Sequence, residues 1–164
     1  MGLQLTTAKS IIRRHKHADS WFAACYGMNL YRGCSHDCAY CDGRAEQYRV
    51  EGDFARDIQV KTNAPAIVAR ELDPKRKRKP LRRGYVLLGG GVNDSHQALE
   101  KEHRLARQVL EVLTRHPFPV HVLTKSPLIA RDLDLLQQIE RLIGEMLDTG
   151  GCKYYESMLR HERD

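Results

Sequence analysis

A chain of 164 residues is one domain of ordinary size, too short for a complete eight-unit β/α barrel of roughly 250 residues. Hydrophobic residues at 41% exclude wholesale disorder, and no run approaches the ~20 apolar residues of a membrane span. Lys plus Arg number 27 against 21 Asp plus Glu, a charge of +6 that allows a nucleic-acid partner without requiring one.

The opening MGLQLTTAKSIIRRHKH lacks the apolar run of a signal peptide, so the expected location is the cytoplasm. Residues 1–20 are polar and basic and read as an arm or short helix before the core. Residues 21–30, WFAACYGMNL, read as a buried strand. The stretch YRGCSHDCAYCDGR is too rich in Gly, Cys, Asp and His to be anything but a loop. Alternation in DIQVK predicts a short strand. A helix follows over 64–72, with Asn63 as N-cap and Pro65 in its first turn. Residues 74–83, PKRKRKPLRR, form an exposed basic connection bounded by prolines.

The apolar YVLL of residues 85–88 predicts a parallel-type strand closed by a glycine turn at Gly89, Gly90 and Gly91. From 96 to 115 an apolar stripe of period 3.6 predicts one amphipathic helix, stopped by Pro117 and Pro119. VHVL, residues 120–123, is a third strand, followed by the turn TKSP and a helix over 132–143. Residues 144–164 have weak periodicity and form a divergent tail. The domain therefore spans 21–143. Alternating strands and helices imply right-handed crossovers and a parallel sheet.

The five cysteines are Cys25, Cys34, Cys38, Cys41 and Cys152. An odd count in a reducing compartment argues against a disulfide framework, and a dense group there points to a metal or cluster site. Cys34, Cys38 and Cys41 form C-x3-C-x2-C. Three thiolates on a cubane cluster leave one iron open, and an open position lets a metal centre take a ligand. Gly33 and Gly43 ease tight backbone packing round such a site. Tyr40 sets an aromatic face beside it, fit to screen a cluster or stack on a purine. A zinc site with Cys25 or His36 as fourth ligand is the alternative, although paired C-x2-C knuckles are absent. Cys25 and Cys152 read as buried or incidental thiols, and His36 as solvent-facing. Asp94, Glu100 and Lys125 fall near predicted C-terminal strand ends, where ligand contact and simple capping or solvation are both open.

The C-x3-C-x-aromatic-C signature resembles that of radical S-adenosylmethionine enzymes. NLYRGCSHDCAYCDGR, with LLGGGVNDSHQALEKEHRLARQVLE and VHVLTKSPLIARDLDLL in order after it, resembles the spore photoproduct lyase-like (DNA repair photolyase-like) branch. The resemblance covers roughly residues 8–139 and implies a partial (β/α) barrel of about three units. It implies a 4Fe–4S cluster on Cys34, Cys38 and Cys41, whose open iron chelates the amino and carboxylate groups of S-adenosyl-L-methionine. It also implies reductive cleavage of that cofactor to a 5′-deoxyadenosyl radical, driven by a reductant such as flavodoxin or ferredoxin. Gly89, Gly90 and Gly91 match the turn that binds the methionyl amine, and Tyr40 lies beside the cofactor. Such a core normally has six units, so a homo-oligomer or a complementing second half is expected. The substrate stays open, nucleic acid included. No cysteine lies between Cys41 and Cys152 to return a hydrogen atom to a substrate as the lyases do. The rival readings are a non-catalytic iron–sulfur or zinc module that meets nucleic acid through residues 75–83, and an inactive remnant.

Overall fold

The computed structural model describes residues 2–17, 24–48, 50–76, 81, 84–90 and 92–148. The chain is mixed α/β, with parallel strands in two sheets. β1 (Gln4–Thr6) pairs in parallel with β5 (Gln59–Lys61), which pairs antiparallel with β4 (Tyr31–Arg32). The larger sheet has the order β2 (Ile12–Arg14), β3 (Ala24–Met28), β6 (Tyr85–Leu88), β7 (Val120–Val122). β3, β6 and β7 are parallel, in register Tyr26 to Val86 to Val120 and Met28 to Leu88 to Val122. β2 is an antiparallel edge.

Residues 1–20 differ from the expected arm or short helix by containing two strands, β1 and β2. The reason lies in α1 (Ala64–Leu72). Its buried Glu71 accepts the backbone N–H groups of Ile11 and Ile12, at 3.1 and 2.9 Å, and the Ser10 hydroxyl at 2.6 Å. Asn63 does not cap the helix with its side chain; it pairs instead with both backbone groups of Ala8, at 2.8 and 2.9 Å. These charged and amide side chains satisfy a polar segment that has no apolar pattern of its own.

The stripe over 96–115 forms two helices rather than one: α2 (Glu100–His103) and α3 (Leu105–Arg115). Arg104 between them is left-handed, with φ 51°. The break has a cause in Glu100, whose carboxylate turns round to accept the Ala106 N–H at 2.9 Å. It satisfies an orphan donor at the start of α3 and sets negative charge against the positive end of that helix. α4 (Leu133–Asp148) follows a 3-10 turn over Pro127–Asp132, which Ser126 caps.

The core lies between the large sheet and α1, α3 and α4. Tyr26, Met28, Val86 and Leu88 on one sheet face pack with Ile67, Val68, Val109, Leu110, Leu113 and Ile139. Val86 and Leu88 are thus fully covered, while Val120 and Val122 are half-buried. The opposite face, carrying Cys25, Tyr85, Leu87 and His121, is half-covered or exposed. No helix among the described residues is long and apolar enough to cross a membrane.

Candidate metal and cofactor site

Because β3, β6 and β7 run in parallel, their C-terminal ends share one edge of the sheet, where the open crevice of such folds lies. Three segments meet there. The cysteine loop follows β3 and β4, the glycine turn follows β6, and the turn bearing Lys125 follows β7.

The cysteine loop is fixed by close backbone approach. Gly33 has φ +88°, and a Cβ there would stand 2.8 Å from the Phe54 carbonyl oxygen, so the position needs glycine. The Cys34 N–H donates to that same carbonyl at 2.9 Å. Cys34 is 7% exposed; burial pushes its thiol up, partly offset by hydrogen bonds from the backbone N–H groups of His36 and Asp94. Cys38 and Cys41 are half-buried. Arg44 pairs with Asp37, donates to the Cys38 carbonyl at 3.2 Å, and stacks over the Phe54 ring at 5.4 Å. These contacts bind the end of the loop to its base.

The glycine turn is as tight. Gly89 and Gly90 have φ near the left-handed region, +86° and +87°, and a Cβ on Gly89 would lie 2.9 Å from the Leu123 carbonyl oxygen. Gly91 lies outside the described residues. The turn continues into buried Asp94, which links all three segments. Its carboxylate accepts the Thr124 hydroxyl at 2.8 and 2.9 Å, the Lys125 N–H at 2.8 Å and the His96 N–H at 2.7 Å. His36 Nε2 stands 3.2 Å from the same carboxylate, so His36 turns inward and not to solvent as its loop position suggested. Lys125 Nζ then reaches Cys38 Sγ at 3.3 Å and lies 3.9 Å from the centre of the Tyr40 ring. Tyr40 itself is 78% exposed.

Glu100 does not face this edge. It is buried, accepts the Tyr31 hydroxyl at 2.5 Å, and is held by Arg131 at 3.0 Å. Burial and the neighbouring Glu100 carboxylate push the Tyr31 phenol far up. Beside them, Asp132 is bound by Arg131 at 2.7 Å, Arg107 at 3.1 Å and His96 at 3.2 Å. Burial works to raise the Asp132 carboxyl, but the two guanidiniums outweigh it and hold it below the ordinary carboxylate range. His96, which bonds Asp94 through its N–H and faces Asp132 with its ring, connects this buried ionic group to the site.

Among the described residues no group of three or more His, Cys, Asp or Glu side chains is already gathered as a metal-binding set. The donor chemistry fits a soft, thiolate-ligated centre: three thiols on one loop, and ammonium and backbone donors aimed at two of the sulfurs. Of the two candidate fourth ligands for zinc, Cys25 stands in β3 and His36 beside Asp94. Of the basic stretch 75–83, Lys75, Arg76 and Leu81 are described, with Arg76 donating to the Glu71 carbonyl at 3.4 Å; the rest, like Cys152, lies outside the described residues.

Sequence reasoning passed over Gln97, His96, Arg107, Arg131 and Asp132. Their signal was available only in part: polar residues at positions of an apolar helical stripe invite a search for buried partners.

No family model matches the chain, and no solved structure matches it. It is 35% identical over 117 residues to uncharacterized proteins of Mycobacterium tuberculosis (strain ATCC 25618 / H37Rv) and Mycobacterium bovis, covering 69% of this chain. It is 29% identical over 119 residues to an uncharacterized protein of Methanocaldococcus jannaschii, covering 71% of this chain. The match takes in 33% of the mycobacterial proteins and 41% of the methanogen protein, so the chain spans about a third to two fifths of these relatives.

Proposed function

We propose that the chain is a radical S-adenosylmethionine module in which Cys34, Cys38 and Cys41 hold a 4Fe–4S cluster. Its parallel strands β3, β6 and β7 would form one part of a β/α barrel wall. The observation that carries this reading is the meeting of the cysteine loop, the glycine turn and Lys125 at one end of three adjacent parallel strands, with Lys125 Nζ 3.3 Å from Cys38 Sγ. When bound, such a cluster supplies the single electron that cleaves S-adenosyl-L-methionine.

The residues of the chain have simpler tasks. The three thiolates ligate, and their number leaves one coordination position for the cofactor. Gly89 and Gly90 let the backbone turn sharply at the end of β6, against the Leu123 carbonyl and the Leu87 side chain. Lys125 brings a positive charge to the same edge, suited to a carboxylate, and Tyr40 offers an aromatic face. Asp94 holds the Lys125 and Thr124 turn in place. The half-covered sheet face with Tyr85, Leu87 and His121 is where a second copy or a complementing half would close the cavity.

Anaerobic reconstitution with iron and sulfide, followed by reduction and addition of S-adenosyl-L-methionine, tests the reading. Iron-loaded chain that releases 5′-deoxyadenosine supports it. Stoichiometric zinc without iron uptake overturns it, and iron uptake without release of 5′-deoxyadenosine or any spectral response to the cofactor leaves a non-catalytic iron–sulfur module.

A further inference from the structure

Cys34 is flanked by backbone that has no strand partner, yet its own N–H, both backbone groups of Gly33 and the Ser35 N–H are all hydrogen-bonded. In extended backbone the N–H and C=O of one residue point to one side, and the preceding C=O and following N–H point to the other. At Cys34 the N–H donates to the Phe54 carbonyl at 2.9 Å and the C=O accepts the Asp37 N–H at 3.3 Å. The other side is taken by one side chain. Gln97 Oε1 accepts the Ser35 N–H at 2.8 Å, and Gln97 Nε2 donates to the Gly33 carbonyl at 3.2 Å. The reverse amide orientation would set donor on donor and acceptor on acceptor, so the pairing fixes the side chain as well as the loop.

Gln97 is fully buried and lies 62 residues from Ser35. It stands on the turn whose Asp94 N–H reaches the Cys34 sulfur and whose Val92 carbonyl accepts the Gly33 N–H at 3.1 Å. Asp94 on that turn also holds Thr124 and Lys125. The amide therefore registers one cysteine against the glycine turn and the lysine turn together. A carboxylate in its place would keep the acceptor for Ser35 but oppose the Gly33 carbonyl. An apolar residue would strand both backbone groups.

We propose that Gln97 is the positioning residue of the first cysteine: its buried amide bonds the residues before and after Cys34, as a strand partner along one edge would, and sets the direction in which that thiol is presented. The part of this that concerns a metal rests on the cluster reading above; the backbone pairing does not.

The test uses the full chain with Gln97→Leu and Gln97→Glu, and two readouts. The first is native-state amide exchange without metal. Ser35 N–H should be protected in the parent and should exchange on the order of tenfold to a hundredfold faster in Gln97→Leu, as loss of one buried hydrogen bond predicts. The amides of Val86 and Leu88 in β6 should keep their protection. A Ser35 amide that is unprotected in the parent, or equally protected in Gln97→Leu, overturns the pairing. Should Gln97→Leu lose β6 protection as well, Gln97→Glu decides: it keeps the Ser35 acceptor, so faster exchange confined to the amides of residues 33–35 supports the proposal, and unchanged exchange there overturns it.

The second readout is iron per chain and the electron paramagnetic resonance spectrum after anaerobic reconstitution. Gln97→Glu should retain less than half the iron of the parent or show a shifted spectrum. Parent-like iron and spectrum in a folded Gln97→Glu overturn the positioning role. A parent that takes up no iron overturns the cluster reading alone, and the exchange result then still decides the pairing.

Discussion

Lys125 Nζ lies 3.3 Å from Cys38 Sγ although the two residues are 87 positions apart in the chain. The contact exists because β3 and β7 flank β6 in parallel and end at one edge, and because Asp94 pins the Lys125 backbone. One cation thus meets a loop thiol and the face of Tyr40 at once. That relationship ties the most exposed part of the candidate site to the end of the sheet.

Replacing any one of the three loop cysteines should abolish cluster retention. Cys34→Ala, Cys38→Ala or Cys41→Ala is expected to hold almost no iron after desalting, against about four per chain in the parent. Cys25→Ala, in β3, should keep parental iron. Lys125→Met should keep its iron too, but need roughly tenfold more S-adenosyl-L-methionine to alter the electron paramagnetic resonance spectrum, since a charge-assisted hydrogen bond is worth about 1.5–3 kcal/mol. Iron assays and a cofactor titration of the reduced protein check these outcomes.

Gly89→Ala should destabilise the fold by about 1–3 kcal/mol. Its φ of +86° disfavours a side chain, and the added Cβ would meet the Leu123 carbonyl oxygen at 2.9 Å, a backbone atom that cannot swing away. Gly144→Ala is the contrasting case. It lies within α4 with nothing within 4 Å of its Cβ position, so it should stabilise by about 0.5–1 kcal/mol. Urea denaturation of both variants measures the opposite signs.

Asp132→Asn should cost about 3–5 kcal/mol, because it leaves Arg131, Arg107 and His96 round a neutral group in a buried setting. The parent should also carry an acid dependence from this residue. Its folded-state carboxyl is held low, so unfolded chain takes up a proton first as pH falls below about 4. The stabilisation is complete above that value and is lost as pH drops through the folded pKa. Melting curves between pH 3 and 6 should show a shallower acid slope in Asp132→Asn than in the parent.

Lys61 gives a dependence of the same sign at alkaline pH. Burial first, then the nearby Arg13 and Arg32, lower its ammonium to about 8, while Nζ donates to the Asn29 carbonyl at 2.6 Å. Between pH 8 and the unfolded value of about 10.4 the unfolded chain binds more protons, so stability should rise with pH through that window. The gain is at most about 1.4 kcal/mol per pH unit. Lys61→Met should remove this rise, read as the change in melting temperature from pH 8 to 10.

The sequence by itself determined the elements whose signals are local. The β3, β6 and β7 strands are short apolar runs between turn residues, and α1 was legible to the residue because Asn63 and Pro65 mark its start. The cysteine loop and the glycine turn were legible for the same reason, since Cys spacing and Gly-Gly pairs are short-range patterns. What only the tertiary structure decided were the pairings of polar side chains with distant backbone. Asn63 closes on Ala8 and Glu71 on Ile11 and Ile12, which turns an apparent polar arm into β1 and β2. Glu100 folds onto the Ala106 N–H and divides one helical stripe into α2 and α3. Gln97 closes on Gly33 and Ser35, and Asp94 on Thr124 and Lys125, which brings the three parts of the site together. Hydrophobic periodicity records which face of an element is buried, but not the partner of a buried amide or carboxylate. That partner is fixed only once strands far apart in the chain have docked and excluded the water that would otherwise satisfy it.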